Sequence, residues 1–171
     1  MKAWSINTHF PFFFITFSLT VFAPIIFPGL HLLYFAPFIC SVYYSKSYSS
    51  ALWVSLFCGL VLDLLSAPLR FGLHALNFTL TSAFLYSWKQ HFFEDQPTTL
   101  PILTFLFSVV STLIQIVLLY TFESRVALSL QWVITDLVAM PGTDALYAFI
   151  CFSLPKLIWG KAPKRGKDYF L

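Results

Sequence analysis

The chain has 171 residues, of which 58% are apolar or aromatic and only 10% charged. A soluble domain usually carries about a quarter charged residues. One of this size could not hide so much apolar surface, so the expected solvent is a bilayer. At roughly 20 apolar residues per helix, the length allows at most six or seven spans and no separate globular unit. Residues 1–171 therefore read as a single membrane domain. The net charge of +3 does not point to nucleic acid, because the basic residues sit mostly in one tail. In a membrane protein that placement reports topology. A closed barrel would need alternating segments of about ten residues with a polar inner face. The stretch 10–27 is apolar on every side, so the fold class expected is all-α, an integral membrane protein with about six transmembrane helices.

The first apolar segment covers 10–27 and ends at Pro28-Gly29, a turn dipeptide. Lys2 precedes it, but no small-residue cleavage site follows before the next span, so it reads as a retained helix. The second, 30–44, carries Pro37 in its middle, and a kink is expected there. Lys46 and a serine-rich stretch read as a polar loop. The third segment is 51–65, closed by Pro68 and Gly72, and the fourth is 71–88. A polar loop over 89–99 leads to the fifth, 100–122, and Glu123-Ser124-Arg125 reads as the next turn. The remaining apolar stretch, 126–159, is too long for one crossing. Pro141-Gly142 is expected to break it into an interfacial or partly inserted helix, 126–140, and a sixth span, 142–159. A basic tail, 160–171, follows.

Orientation comes from Lys and Arg near the helix ends. With six spans and the N-terminus inside, Lys2, Lys46, Lys89 and the five basic residues from Lys156 to Lys167 share the cytoplasmic side; Arg70 and Arg125 face the other. Both termini are thus expected in the cytoplasm, with the tail against anionic membrane lipid. Trp4, Trp88 and Trp159 fall near predicted interfaces, where aromatic belts belong.

Chemistry-bearing residues concentrate in the third and later segments. Ala51, Ser55, Gly59 and Asp63 are spaced by four and form one stripe. Small residues let another backbone approach closely, and an intramembrane carboxylate faces protein or water by default. Asp63 reads either as a buried anchor for a neighbouring helix or loop, or as an interface aspartate, solvated or paired with Arg70. His74, Asn77 and Thr81 form a polar face on the fourth segment, and Ser108, Ser111, Thr112 and Gln115 another on the fifth. Such faces hydrogen-bond helices together; the minority reading is a small-molecule pocket. Asp136 and Asp144 flank Pro141-Gly142 and invite comparison with aspartyl proteases, whose paired carboxylates activate water. With the helix broken there, Asp144 would open the sixth span, where free N–H groups and the helix dipole favour a carboxylate. That structural use is the preferred reading. Cys40, Cys58 and Cys151 lie inside apolar runs and match no metal spacing. No phosphate-binding loop, His-Glu-x-x-His run or nucleophile elbow is present, so no enzyme activity, cofactor or metal is expected.

The run from Gly59 through Asp63, Ser66 and Gly72 to Leu76 resembles the signature of the rod shape-determining protein MreD family: a glycine, three apolar residues, an aspartate, a short turn, and a glycine opening the next helix. Length, Pro37 in the second helix and the basic tail agree with the resemblance. Asp144, with Pro155 following, stands where that family more often has asparagine. The turn between Asp63 and Gly72, with Pro68 and Arg70, is longer than the family's usual one. The resemblance implies a non-enzymatic inner-membrane scaffold subunit of the bacterial elongation machinery. Its partners would be an MreC-like single-span protein and, indirectly, an MreB-like filament and the peptidoglycan synthases. It also implies a fold similar to the substrate-binding subunits of energy-coupling-factor transporters. From that similarity comes the rival reading, a small-molecule-binding transporter subunit. The residues expected to carry structure or partner docking are Gly59, Asp63, Gly72, His74, Asn77 and Asp144.

Overall fold

The computed structural model describes residues 6–26, 32–65, 71–88, 98–123 and 135–155. Among them every regular element is helical: α1 Ile6–Ile26, α2 Ala36–Ser45, α3 Tyr48–Leu65, α4 Leu73–Tyr86, α5 Thr99–Glu123 and α6 Met140–Ala148. α6 is extended at both ends by wide, π-helical turns, Thr135–Ala139 and Phe149–Ser153. Tyr48–Leu65 and Thr99–Phe122 are long and apolar enough to cross a membrane.

The short helix α2 lies at the centre. Every residue from Ala36 to Tyr43 is buried, and α1, α3 and α5 pack around it. A helix that is apolar all round is either enclosed by protein or faces lipid, and α2 is enclosed. The most extensive pairing is α3 with α4, followed by α5 with α6 and α4 with α5. Phe35, Ile39, Tyr43, Phe78, Leu103 and Phe107 fill the centre, each no more than 1% exposed. Buried hydroxyls share that interior: Ser55, Thr81, Ser82 and Thr104 are 0% exposed. The outer surface is large and apolar, with Trp53 71%, Leu64 73% and Tyr120 74% exposed.

Three local expectations need correction. The kink at Pro37 does not form, because α2 begins at Ala36 and places the proline in its first turn. There the missing N–H costs no helical bond, and residues 32–35 run in as a non-helical strap. The serine-rich stretch is helical from Tyr48 onward, with the Ser47 carbonyl accepting the Ala51 N–H at 3.0 Å. The break at Pro141-Gly142 is also absent. Ala139 has helical angles (φ −69°, ψ −47°), so the wide turn before it runs straight into α6. The proline ring falls at that junction, where a wider turn accommodates its missing donor. Of the interfacial helix expected over 126–140, residues 126–134 lie outside the described residues, as do Trp4, Arg70, Trp159 and the basic tail.

Candidate functional site

The Gly59–Asp63 stripe closes on the first turn of α4. Gly72 precedes that helix with φ +97°, a left-handed conformation that glycine adopts without strain. Having no side chain, it cannot supply the oxygen that a cap normally offers to the free N–H groups. Asp63 supplies it from α3: one carboxylate oxygen accepts the His74 N–H at 2.9 Å, the other the Ala75 N–H at 3.0 Å. A negative charge at a helix N-terminus is favoured by the free donors and by the helix dipole. Asp63 is only 7% exposed, and these bonds take both its oxygens. The pairing with Arg70 considered from the sequence falls outside the described residues.

Gly59, one turn before Asp63, makes this approach possible. A Cβ there would stand 2.6 Å from the His74 carbonyl oxygen and 2.7 Å from the Ala75 nitrogen. Both are backbone atoms that cannot swing aside. The two residues therefore act together, glycine admitting the end of α4 and aspartate holding it.

Below that junction the polar faces of α3, α4 and α5 engage one another. Asn77 Nδ2 donates to Ser111 Oγ at 3.0 Å, and Thr81 Oγ1 donates to Asn77 Oδ1 at 3.3 Å. Tyr43 of α2 donates to Ser82 at 2.8 Å, Ser82 donates to Ser55 of α3, and Ser55 donates to the Ala51 carbonyl. Four helices are thus stitched by buried hydroxyl and amide groups. His74 is half-buried, its ring 6.5 Å from that of Phe78.

Asp144 organises a second junction. It is 0% exposed, in the interior of α6, and it accepts the Leu33 N–H from the strap at 2.9 Å. Its other oxygen bonds Ser108 Oγ of α5 at 2.6 Å. The role expected for it, an N-terminal carboxylate served by its own helix, is overturned because the helix does not break. Its partners come from two other elements instead. Asp136 lies eight residues earlier, in the wide turn before α6 and about two helical turns from Asp144. An aspartyl dyad needs carboxyls that share a proton; Asp144 is bound to Leu33 and Ser108, and Asp63 to α4. Beside the strap, Tyr34 packs edge-on against Tyr147, whose buried hydroxyl has no partner among the described residues.

Sequence reasoning missed Leu33, Tyr43 and Ser82. Leu33 acts through its backbone, which leaves no side-chain signal. Ser82 lies next to Thr81 and could have been found by extending the polar face of α4 one position. The cysteines are free, Cys40 and Cys58 buried, and no three metal-ligating side chains converge among the described residues. No known protein family, curated protein or solved structure matches this chain.

Proposed function

We propose that the chain is a non-enzymatic, multi-pass scaffold subunit of the bacterial cell-elongation machinery. In this reading it sits in the cytoplasmic membrane with six crossing segments and both termini inside. The bilayer part is supported by the reversed distribution of side chains, hydroxyls within and large apolar groups outside. A soluble protein does not expose apolar surface on that scale. The short α2 needs no headgroup contact of its own, because neighbouring helices enclose it. Non-helical backbone at membrane depth is tolerated where protein buries it, and the strap at 32–35 meets that condition with its Leu33 N–H accepted by Asp144.

The observation that carries the scaffold reading is the closure of Gly59 and Asp63 on the first turn of α4. These residues, with Gly72, are the ones through which the sequence resembles MreD-type proteins, and their chemistry is helix docking. Polar groups that a transported ligand would need are engaged with one another, Asn77 with Ser111 and Ser82 with Ser55. The partner proposed is an MreC-like single-span protein received on a lateral face, which would link the chain to an MreB-like filament and the peptidoglycan synthases.

Affinity capture of the full chain from native bacterial membranes, with identification of bound proteins, tests this. A single-span protein with an extracytoplasmic domain should co-purify. Asp63→Ala should reduce that partner more than it reduces the amount of inserted chain. Capture of no such protein by the wild type would overturn the cell-shape role, and unchanged capture by Asp63→Ala would overturn the anchor role.

A further inference from the structure

The seam between α4 and α5 carries two polar rungs. One is direct and buried: Asn77 Nδ2 donates to Ser111 Oγ at 3.0 Å. The other lies one turn nearer the start of α4, three residues back on α4 and four onward on α5, and brings His74 toward Gln115. Both side chains are half-buried, and neither has a hydrogen-bond partner among the described residues. They line a niche of about 10 Å³ whose other walls are Leu73, Leu118 and Leu119.

We propose that one ordered water sits in this niche and bridges His74 to Gln115, so that this rung of the seam is wet where the Asn77–Ser111 rung is dry. Size selects the occupant. A single water needs about 10–15 Å³ measured in this way, and a phosphate or quaternary ammonium head group is several times larger. The donor set agrees. An imidazole offers a donor and, when neutral, an acceptor, and a primary amide offers both. A water can therefore accept from one and donate to the other. The leucine walls offer nothing, so without a bridge both polar groups would bear the penalty of an unmade bond. A bridging water is enthalpically close to a direct bond. One imidazole and one amide are too few ligands for a metal ion, and Asp63, which closes on the same turn, has both oxygens on N–H groups of α4. His74 stands in the first turn of α4, so in the bilayer reading water reaches it from the head-group side. The start of α4 is then held in two ways, by a carboxylate toward α3 and by a replaceable solvent molecule toward α5. This inference does not depend on the cell-shape role.

The test uses the isotope-labelled full chain in dioleoyl phosphatidylcholine bilayers and follows magnetisation transfer from water by solid-state NMR. The Gln115 side-chain amide should receive it rapidly. The Asn77 amide, one rung away and 1% exposed, should receive it slowly. His74→Phe should lower transfer at Gln115 to the Asn77 rate, and Gln115→Leu should do the same at the His74 ring. An unchanged Asn77 chemical shift in each variant guards against misfolding. Unfolding midpoints in detergent give an independent readout. Each single variant strands one polar group and should lower the midpoint, whereas the double variant strands none and should lose less than the sum of the two. Transfer at Gln115 as slow as at Asn77 in the wild type would overturn the site. So would a direct His74–Gln115 coupling across a hydrogen bond, or transfer that comes from lipid head-group protons in place of water. Fast transfer at Gln115 that survives His74→Phe would overturn the bridge.

Discussion

Asp63 and Asp144 are both buried, and each holds backbone that belongs to another element, yet the two junctions differ in what they ask of the carboxylate. At the α3–α4 junction both oxygens face N–H groups of adjacent residues, eleven and twelve positions away in the chain. At the α6 junction one oxygen faces an N–H of the strap, 111 positions away, and the other a hydroxyl of α5, 36 away. At the first junction each N–H donor has a carboxylate oxygen of its own. A hydroxyl can give or receive. The first junction therefore uses both oxygens as acceptors, while the second needs one acceptor and a group of either sense. The first caps one helix locally; the second ties three distant segments together.

The comparison is most easily broken at Gly59. Gly59→Leu should destabilise the chain by about 3 kcal/mol or more, because overpacking meets backbone and cannot be relieved by a rotamer change. Gly142, on the outer side of α6, has nothing within 4 Å of an added Cβ, so Gly142→Leu should stay within about 0.5 kcal/mol of the parent. Denaturant unfolding in detergent micelles measures both. A similar loss for the two would mean that the close approach of α4 is not what Gly59 provides.

Amide substitutions sharpen it further. Asp63→Asn turns an NH₂ toward one of two N–H donors and should cost about 2 kcal/mol, the range of a buried donor left unsatisfied. Asp144→Asn can still accept from Leu33 and donate to Ser108, and should cost less than Asp63→Asn, about 1 kcal/mol or below, the range of one exchanged hydrogen bond. Midpoints from the same unfolding series decide the matter. Equal losses would remove the distinction between the junctions.

The readable part of this architecture was the part written in side chains. The period-four stripe from Ala51 to Asp63 is visible in the sequence because small residues and a carboxylate stand out against an apolar helix. What Asp63 holds was not visible, since the N–H groups of His74 and Ala75 belong to the backbone. The prolines misled in a consistent way. Pro37 and Pro141 were read by the rule that a proline kinks or breaks a helix, but the rule depends on where the helix starts. α2 starts one residue before Pro37, and a wide turn precedes Pro141. Neither fact has a composition signal. For the same reason the docking of the strap to Asp144 could not be anticipated: it requires knowing that residues 32–35 are not helical.

The smallest effect concerns the stitching between helices, and it bears on whether these polar faces hold the bundle or only fill it. Asn77 and Ser111 form a direct bond between α4 and α5. Interhelical hydrogen bonds in membrane proteins average about 0.6 kcal/mol by double-mutant cycles. A cycle of Asn77→Ala, Ser111→Ala and the double variant should return a coupling near that value, well below the Asp63→Asn loss. Asn77 also accepts from Thr81, so Asn77→Ala alone should cost more than Ser111→Ala alone. A coupling as large as the loss at Asp63 would show that the bundle is held by the α4–α5 seam as much as by the cap. A coupling of zero would leave Asn77 as a partner for Thr81 within α4, and the hold of α5 on α4 would then rest on packing around Phe78 and Phe107, whose rings meet edge to face at 5.6 Å.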